Sequence, residues 1–292
     1  MRISRPTLKK KIEIDRFSVP IRIYGDAGPH LVCVNGVQQS MAMWHSFVTR
    51  FSSEYRIALF DFPGQGKARV LCGPQKLSLD EQVDILHEVI KSVEFDNKTT
   101  LSTASWGGVV ALAFAARYPD VIKQLVLGSI GTRPNQKMIE TIQKGLSIDA
   151  ENRLEMAEVL IQSFGQNLPV KIKRDITSQF RSMSADSLQT FNEHGLLVLS
   201  TKNLTDLVDL GKIKANAVIL RGEHDTIIDL EDVHFLASKI PNCIVKIVED
   251  VGHFMHLETH NIFDVYSDAF AGKYFEPAAE KIEALNTLTL NK

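Results

Sequence analysis

Two kinds of hydrophobic pattern alternate along the chain, and together they predict a layered architecture. "KIEID" (11–15) and "VPIRIYG" (19–25) alternate apolar and polar positions. A period of two fits antiparallel strands with one wet face. "HLVCVNG" is instead a continuous apolar run closed by Asn35 and Gly36. It suits a strand buried on both faces of a parallel sheet. "RIALFDFPGQG" reads as another buried strand, and "TTLSTAS" and "VIKQLVLGS" as the next two strands. Between them lie segments with helical spacing: "MAMWHSFVTRF", "SLDEQVDILHEVIKSV" and "WGGVVALAFAARYP". In the second, Ser78 can cap and Glu81 stands three residues on, the signature of a capping box. Pro119 ends the third. Strand–helix alternation of this kind predicts an α/β protein: a mostly parallel central sheet, helices on both faces and right-handed crossovers.

The rhythm breaks between about 131 and 210. "NQKMIETIQKGLS" and "ENRLEMAEVLIQSF" are helical, and no buried strand pattern interrupts them. Structureless loops beyond about 15 residues are uncommon. Residues 131–210 therefore read as a helical insertion lying over the sheet, a lid, with 1–130 and 211–292 forming the core. The sheet pattern resumes with "NAVILRGEHD" and "CIVKIVEDVGHF", each followed by a helix, at 230–239 and 262–270. The tail beyond Lys273 is weakly apolar and is expected to fray.

Composition narrows the partners. Lys and Arg number 33 against 35 Asp and Glu, so the net charge of −2 gives no electrostatic reason to expect nucleic acid. The run Lys9, Lys10, Lys11 reads as a solvated strand edge. Cys33, Cys72 and Cys243 are odd in number and widely spread, with neither a disulfide framework nor a zinc spacing. Reduced thiols in a cytoplasmic protein are the expectation. No apolar run approaches the roughly 18 residues of a membrane span. The basic start has no apolar h-region of a secretory signal.

In an open α/β sheet, the loops at the carboxyl ends of the strands surround the binding crevice. Three such loops carry Ser105, Asp225 and His253, in that order. A serine hydroxyl needs a base within hydrogen-bond reach, and the base needs an acid to fix its tautomer. "TASWG" resembles the G-x-S-x-G strand-to-helix elbow, with Thr103 in place of the first glycine. Taken alone it could be an incidental turn. Asp225 follows "VILRG"; Asp229 stands directly before the next helix and is the better cap, which leaves Asp225 free as the acid. His253 follows a glycine just past the last strand and is the candidate base. The backbone N–H of Trp106, next to the serine, is one candidate oxyanion donor. The N–H of Val37, in the loop after the first buried strand, is the other. His256 and His260, one helical turn apart, are the only hint of metal, and His224 with Asp229 makes a His-x4-Asp pattern; neither is given a role.

In this order, these motifs resemble the α/β-hydrolase fold from 11 to 270: "LFDFPGQG" before the nucleophile helix, "RGEHD" as the acid loop and "GHF" as the base loop. "VNG", "LFDFP", "ASWGG" and "GHFMHLE" are similar, more narrowly, to the group that processes 3-hydroxyacyl chains, which comprises the 3-(3-hydroxyalkanoyloxy)alkanoate synthases and the 3-hydroxyacyl-carrier-protein:CoA transacylases. "VQQSMAMW" and "GEHDTIID" depart from that group. The resemblance implies a serine acyl enzyme that works without a cofactor. It implies an acyl thioester of carrier protein or CoA as donor, and a hydroxyl or thiol as acceptor. Met138, Ile139, Ile142, Leu154, Val159 and Leu160 are candidates either to line an acyl channel under the lid or simply to pack on their neighbours. Two other readings stay open: hydrolysis by the same triad, and a catalytically idle fold that binds a ligand.

Overall fold

The computed structural model describes residues 5–95 and 99–275, so the tail from 276 onward lies outside the described residues. β1 (Leu8–Ile14) and β2 (Phe17–Tyr24) pair antiparallel across a hairpin in which Asp15 takes φ 47°. Aspartate tolerates that left-handed conformation better than most residues. β1 is the sheet's edge, and Lys9 to Lys11 keep it exposed and charged. A charged edge resists pairing with another chain.

β3 (His30–Val34) and β4 (Arg56–Phe60) begin the parallel part of the sheet, and a short β5 (Arg69–Val70) pairs with β2. β6 (Thr99–Ala104), β7 (Ile122–Gly128), β8 (Asn216–Gly222) and β9 (Cys243–Val248) extend it, giving the order β1-β2-β4-β3-β6-β7-β8-β9. The two-residue period of each strand divides the core. Val32 and Val34 join one apolar cluster, and Leu31 and Cys33 join another. The first cluster is covered by α2 (Leu79–Ser92), α3 (Trp106–Arg117) and α8 (Leu230–Ser238). The second is covered by α1 (His45–Phe51) and α10 (Ile262–Phe270), where Phe47 meets Tyr266 edge-on at 5.4 Å. Burial on both faces is why β3 and β4 carry nearly unbroken apolar runs.

Local signals act as the chemistry requires at α2. Ser78 Oγ accepts from Glu81 N at 3.1 Å, and Glu81 Oε2 accepts from Ser78 N at 2.8 Å. They act differently at α8. Asp229 occupies the N-cap position, but its side chain makes no cap bond. Its Oδ1 accepts instead from Asn135 Nδ2 at 2.9 Å. A tertiary donor has outcompeted the local one.

Between β7 and β8 four helices follow one another: α4 (Gln136–Ser147), α5 (Arg153–Phe164), α6 (Val170–Arg181) and α7 (Ala185–Ser200). Among the described residues no strand interrupts them. They hold a small apolar cluster of their own around Met156, Phe180 and Leu188. A further short helix, α9 (Met255–Glu258), buries His256 against Trp44, with the rings stacked at 4.7 Å. Burial pushes the His256 pKa down to about 4, so the ring is neutral at physiological pH. His260 lies beyond the end of α9, so the helical turn expected to join the two histidines is not formed. No helix among the described residues is long and apolar enough to cross a membrane.

The helix after β6 starts hard against the neighbouring strand. A Cβ on Gly107 would collide with the carbonyl oxygens of Val34 and Asn35. Those oxygens are backbone, so they cannot swing aside. Gly107→Ala is therefore expected to cost about 1–3 kcal/mol through overpacking. Urea unfolding checks this: a midpoint equal to that of the unsubstituted chain would contradict the close approach.

Candidate active site

The turn from β6 into α3 forces Ser105 to φ 48° and ψ −122°. A non-glycine residue held there costs on the order of 1–3 kcal/mol, so its surroundings must impose it. They do: Ser105 N donates to Gly128 O, and Gly108 N donates to Ser105 O, each at 2.8 Å. Serine at a helix N-cap ordinarily spends its hydroxyl on the first-turn N–H groups. Ser105 makes no such bond. Its Oγ lies 3.1 Å from His253 Nε2. The turn is therefore not incidental: it presents the hydroxyl to an imidazole.

Behind that imidazole, His253 Nδ1 stands 2.9 Å from Asp225 Oδ2, with both side chains almost fully buried. The other carboxylate oxygen accepts from Ile227 N at 2.9 Å and Ile228 N at 3.2 Å. Burial pushes the Asp225 pKa up, but His253 and the two N–H groups outweigh it and hold the pKa below its usual value. Asp225 is thus ionised at neutral pH and fixes the tautomer that leaves Nε2 free to accept from the hydroxyl. The two loops that bring these residues together are stitched by backbone: His224 N donates to Val251 O at 2.8 Å. Both are also braced. Arg221 reaches the carbonyls of Asp225 at 2.7 Å and Ile228 at 3.1 Å. Glu258 accepts from Gly252 N at 2.6 Å and Phe254 N at 3.0 Å, on either side of His253.

Trp106 opens α3, so its N–H is among those a helix leaves without an internal acceptor. Val37 follows Gly36, where a Cβ would come within 2.8 Å of the Ala104 carbonyl, beside Ser105. Ser105, Trp106, Val37 and His253 all line one cavity of about 150 Å³. The rest of its wall is mainly apolar and comes largely from the helices between β7 and β8. Met138, Ile142, Val159 and Leu160 line it. Leu154 does not: it is exposed, because α5 turns that position to solvent, and Ile139 is only half-buried and stands outside the lining. Phe164 packs edge-on against the His253 ring at 5.2 Å.

Several site residues carry little or no sequence signal. Ser129, at φ 53° just past β7, donates from Oγ to the His253 carbonyl at 2.8 Å. Its position at a strand's carboxyl end was the one available clue. Arg221 and Glu258 bind loop backbone, which no spacing rule marks. His224 faces Asp250 at 4.0 Å rather than Asp229.

Comparison with known proteins fits this geometry. A chain from Pseudomonas putida, "(R)-3-hydroxydecanoyl-ACP:CoA transacylase", is 23% identical over 78% of this chain and 77% of its own length. Monoacylglycerol lipase ABHD6 of Homo sapiens is 25% identical over 79% and 71% respectively. These relatives are enzymes of acyl transfer and of lipid hydrolysis. Among solved structures, an alpha/beta hydrolase enzyme from a Medee basin deep-sea metagenome library superposes with a TM-score of 0.77 at 18% identity, covering 92% of this chain and 98% of that one. The enol-lactonase of Burkholderia xenovorans gives 0.74 at 16%, covering 90% and 100%. The family model described as alpha/beta hydrolase fold matches residues 29–259, and the chain belongs to that family.

Proposed function

We propose that this chain is a serine acyl enzyme that moves a medium-chain 3-hydroxyacyl group from a thioester, on carrier protein or CoA, to a hydroxyl or thiol acceptor. The observation that carries the proposal is Ser105 Oγ at 3.1 Å from His253 Nε2, beside an apolar cavity. In this reading Ser105 attacks the thioester carbonyl and gives its proton to His253 Nε2. Asp225 holds the resulting imidazolium. The N–H groups of Val37 and Trp106 hold the oxyanion. Collapse expels the thiolate, which takes the proton from Nε2. The acceptor then loses its own proton to Nε2 as it attacks the acyl-serine, and the second collapse returns that proton to Ser105.

Residues 131–210 act as the cap and 1–130 with 211–292 as the core in this account. The cap keeps water from the waiting acyl-enzyme, which transfer requires. Two features support a hydroxylated chain. One is the printed activity of the Pseudomonas putida relative. The other is Asn192 on α7, which lines the cavity with a buried Oδ1 that has no partner among the described residues. A hydroxyl on the acyl chain would donate to it. The three free cysteines fit a reducing compartment.

Hydrolysis shares the first half-reaction, and the lipase relative keeps it as the competing outcome. Incubation with 3-hydroxydecanoyl thioesters, followed by mass spectrometry, separates the two. An exchanged thioester or an ester dimer is expected. Free acid alone would reject transfer, and no product at all would indicate an idle fold. Ser105→Ala is expected to lower turnover by about 10⁴-fold or more. Asn192→Leu is expected to reduce kcat/KM for the 3-hydroxyacyl substrate about tenfold relative to the unsubstituted acyl substrate. An equal loss on both would contradict the role given to Asn192.

A further inference from the structure

We infer that Gln65 is a positioning residue of the oxyanion site: its side-chain amide fixes and polarises the peptide that carries the Val37 N–H. The inference rests on the acyl-enzyme reading above and adds to it a residue that touches no reacting atom.

Gln65 sits in the turn after β4, far in sequence from Ser105. Its Nε2 donates to the Gly36 carbonyl at 2.9 Å. That carbonyl belongs to the same planar peptide as the Val37 N–H. In a trans peptide the two groups point in opposite directions. A donor that pins the carbonyl on one side therefore aims the N–H toward the other. The Gly36 backbone is packed beside Ala104, next to the nucleophile, and Val37 lines the cavity with Ser105. A hydrogen bond to the carbonyl also draws electron density from the peptide nitrogen, which makes its N–H a stronger donor.

Gln65 itself is held on every side. Gln65 N donates to Phe62 O at 2.9 Å, and Ala68 N donates to Gln65 O at 3.0 Å. Gly64 and Gly66, at φ 88° and 49°, shape the turn around it. A buried carboxylate ties this turn to the oxyanion loop. Asp61 Oδ2 accepts from Lys67 N at 3.3 Å; its Oδ1 accepts from Met41 N at 2.7 Å and Asn35 Nδ2 at 3.2 Å. The amide orientation is settled by its acceptor: reversed, Oε1 would face the Gly36 oxygen. The result is that Gln65 Oε1 is buried with no partner among the described residues. An orphaned acceptor is destabilising. A methionine or leucine would fill the space without one. What the amide adds is the donor to Gly36.

Gln65→Met, Gln65→Glu and Ser105→Ala test this side by side with a 3-hydroxyacyl thioester. Gln65→Met is expected to lower kcat about tenfold, less than the loss of an oxyanion donor outright, with KM within about twofold. In Gln65→Glu the carboxylate cannot donate, but the protonated acid can. The ratio of its kcat to that of the unsubstituted enzyme should therefore rise as pH falls. Unchanged kcat in Gln65→Met overturns the inference. So does a pH-independent ratio in Gln65→Glu, or a Gln65→Met variant whose kcat and KM fail together with its thermal stability. Loss of turnover in Ser105→Ala alongside either result leaves the acyl-enzyme reading standing; full turnover in Ser105→Ala sinks both.

Discussion

One imidazole, held between a hydroxyl and a carboxylate, sets the terms for the rest of the structure. His253 has to keep one nitrogen protonated and the other free, and it does so with almost no access to water. In such surroundings a misplaced partner leaves a polar group unsatisfied, so both hydrogen bonds must be built to tolerance. Ser105, Asp225 and His253 lie on three different loops, each rooted in the parallel part of one sheet. Parallel order brings the carboxyl ends of the strands to one edge, and that edge is where the three side chains meet.

Close backbone approach then converts rough placement into bonding geometry. Gly107 lets α3 meet β3, and Gly222 lets the loop of Asp225 meet the loop of His253, where a Cβ would meet the Val251 and Gly252 carbonyls. Ser105 is held in a strained conformation by two backbone bonds, and its hydroxyl is withheld from the helix it caps. Each of these features lowers stability locally. The two-sided apolar core supplies the rigidity that sustains them.

Burial on both faces writes the apolar runs of β3, β4 and β8, and Ser105, Asp225 and His253 are legible because each stands in the loop past a strand. The sequence did not reveal the residues that act through backbone. Gln65, Ser129, Arg221 and Glu258 each bind a carbonyl or N–H on another loop or turn, and no periodicity records that. Helical spacing shows that α5 has an apolar face but not where its edge falls, so it does not mark Leu154 as the exposed position it is. Asp229 stands where a cap should be, yet bonds to Asn135, a residue whose proximity only the fold creates. β5 and α9 are too short to leave a periodic trace.

In the proposed reading the same core could serve transfer or hydrolysis, with residues 131–210 deciding which acceptor reaches the acyl group. Common to both readings is a covalent ester on Ser105. Brief reaction with a 3-hydroxydecanoyl thioester, acid quenching, digestion and peptide mass spectrometry would look for that ester directly. The account predicts a hydroxydecanoyl mass increment confined to the peptide that contains Ser105, and absent when His253 is replaced by alanine. An increment on another residue, or turnover that proceeds with Ser105 never modified, would contradict it.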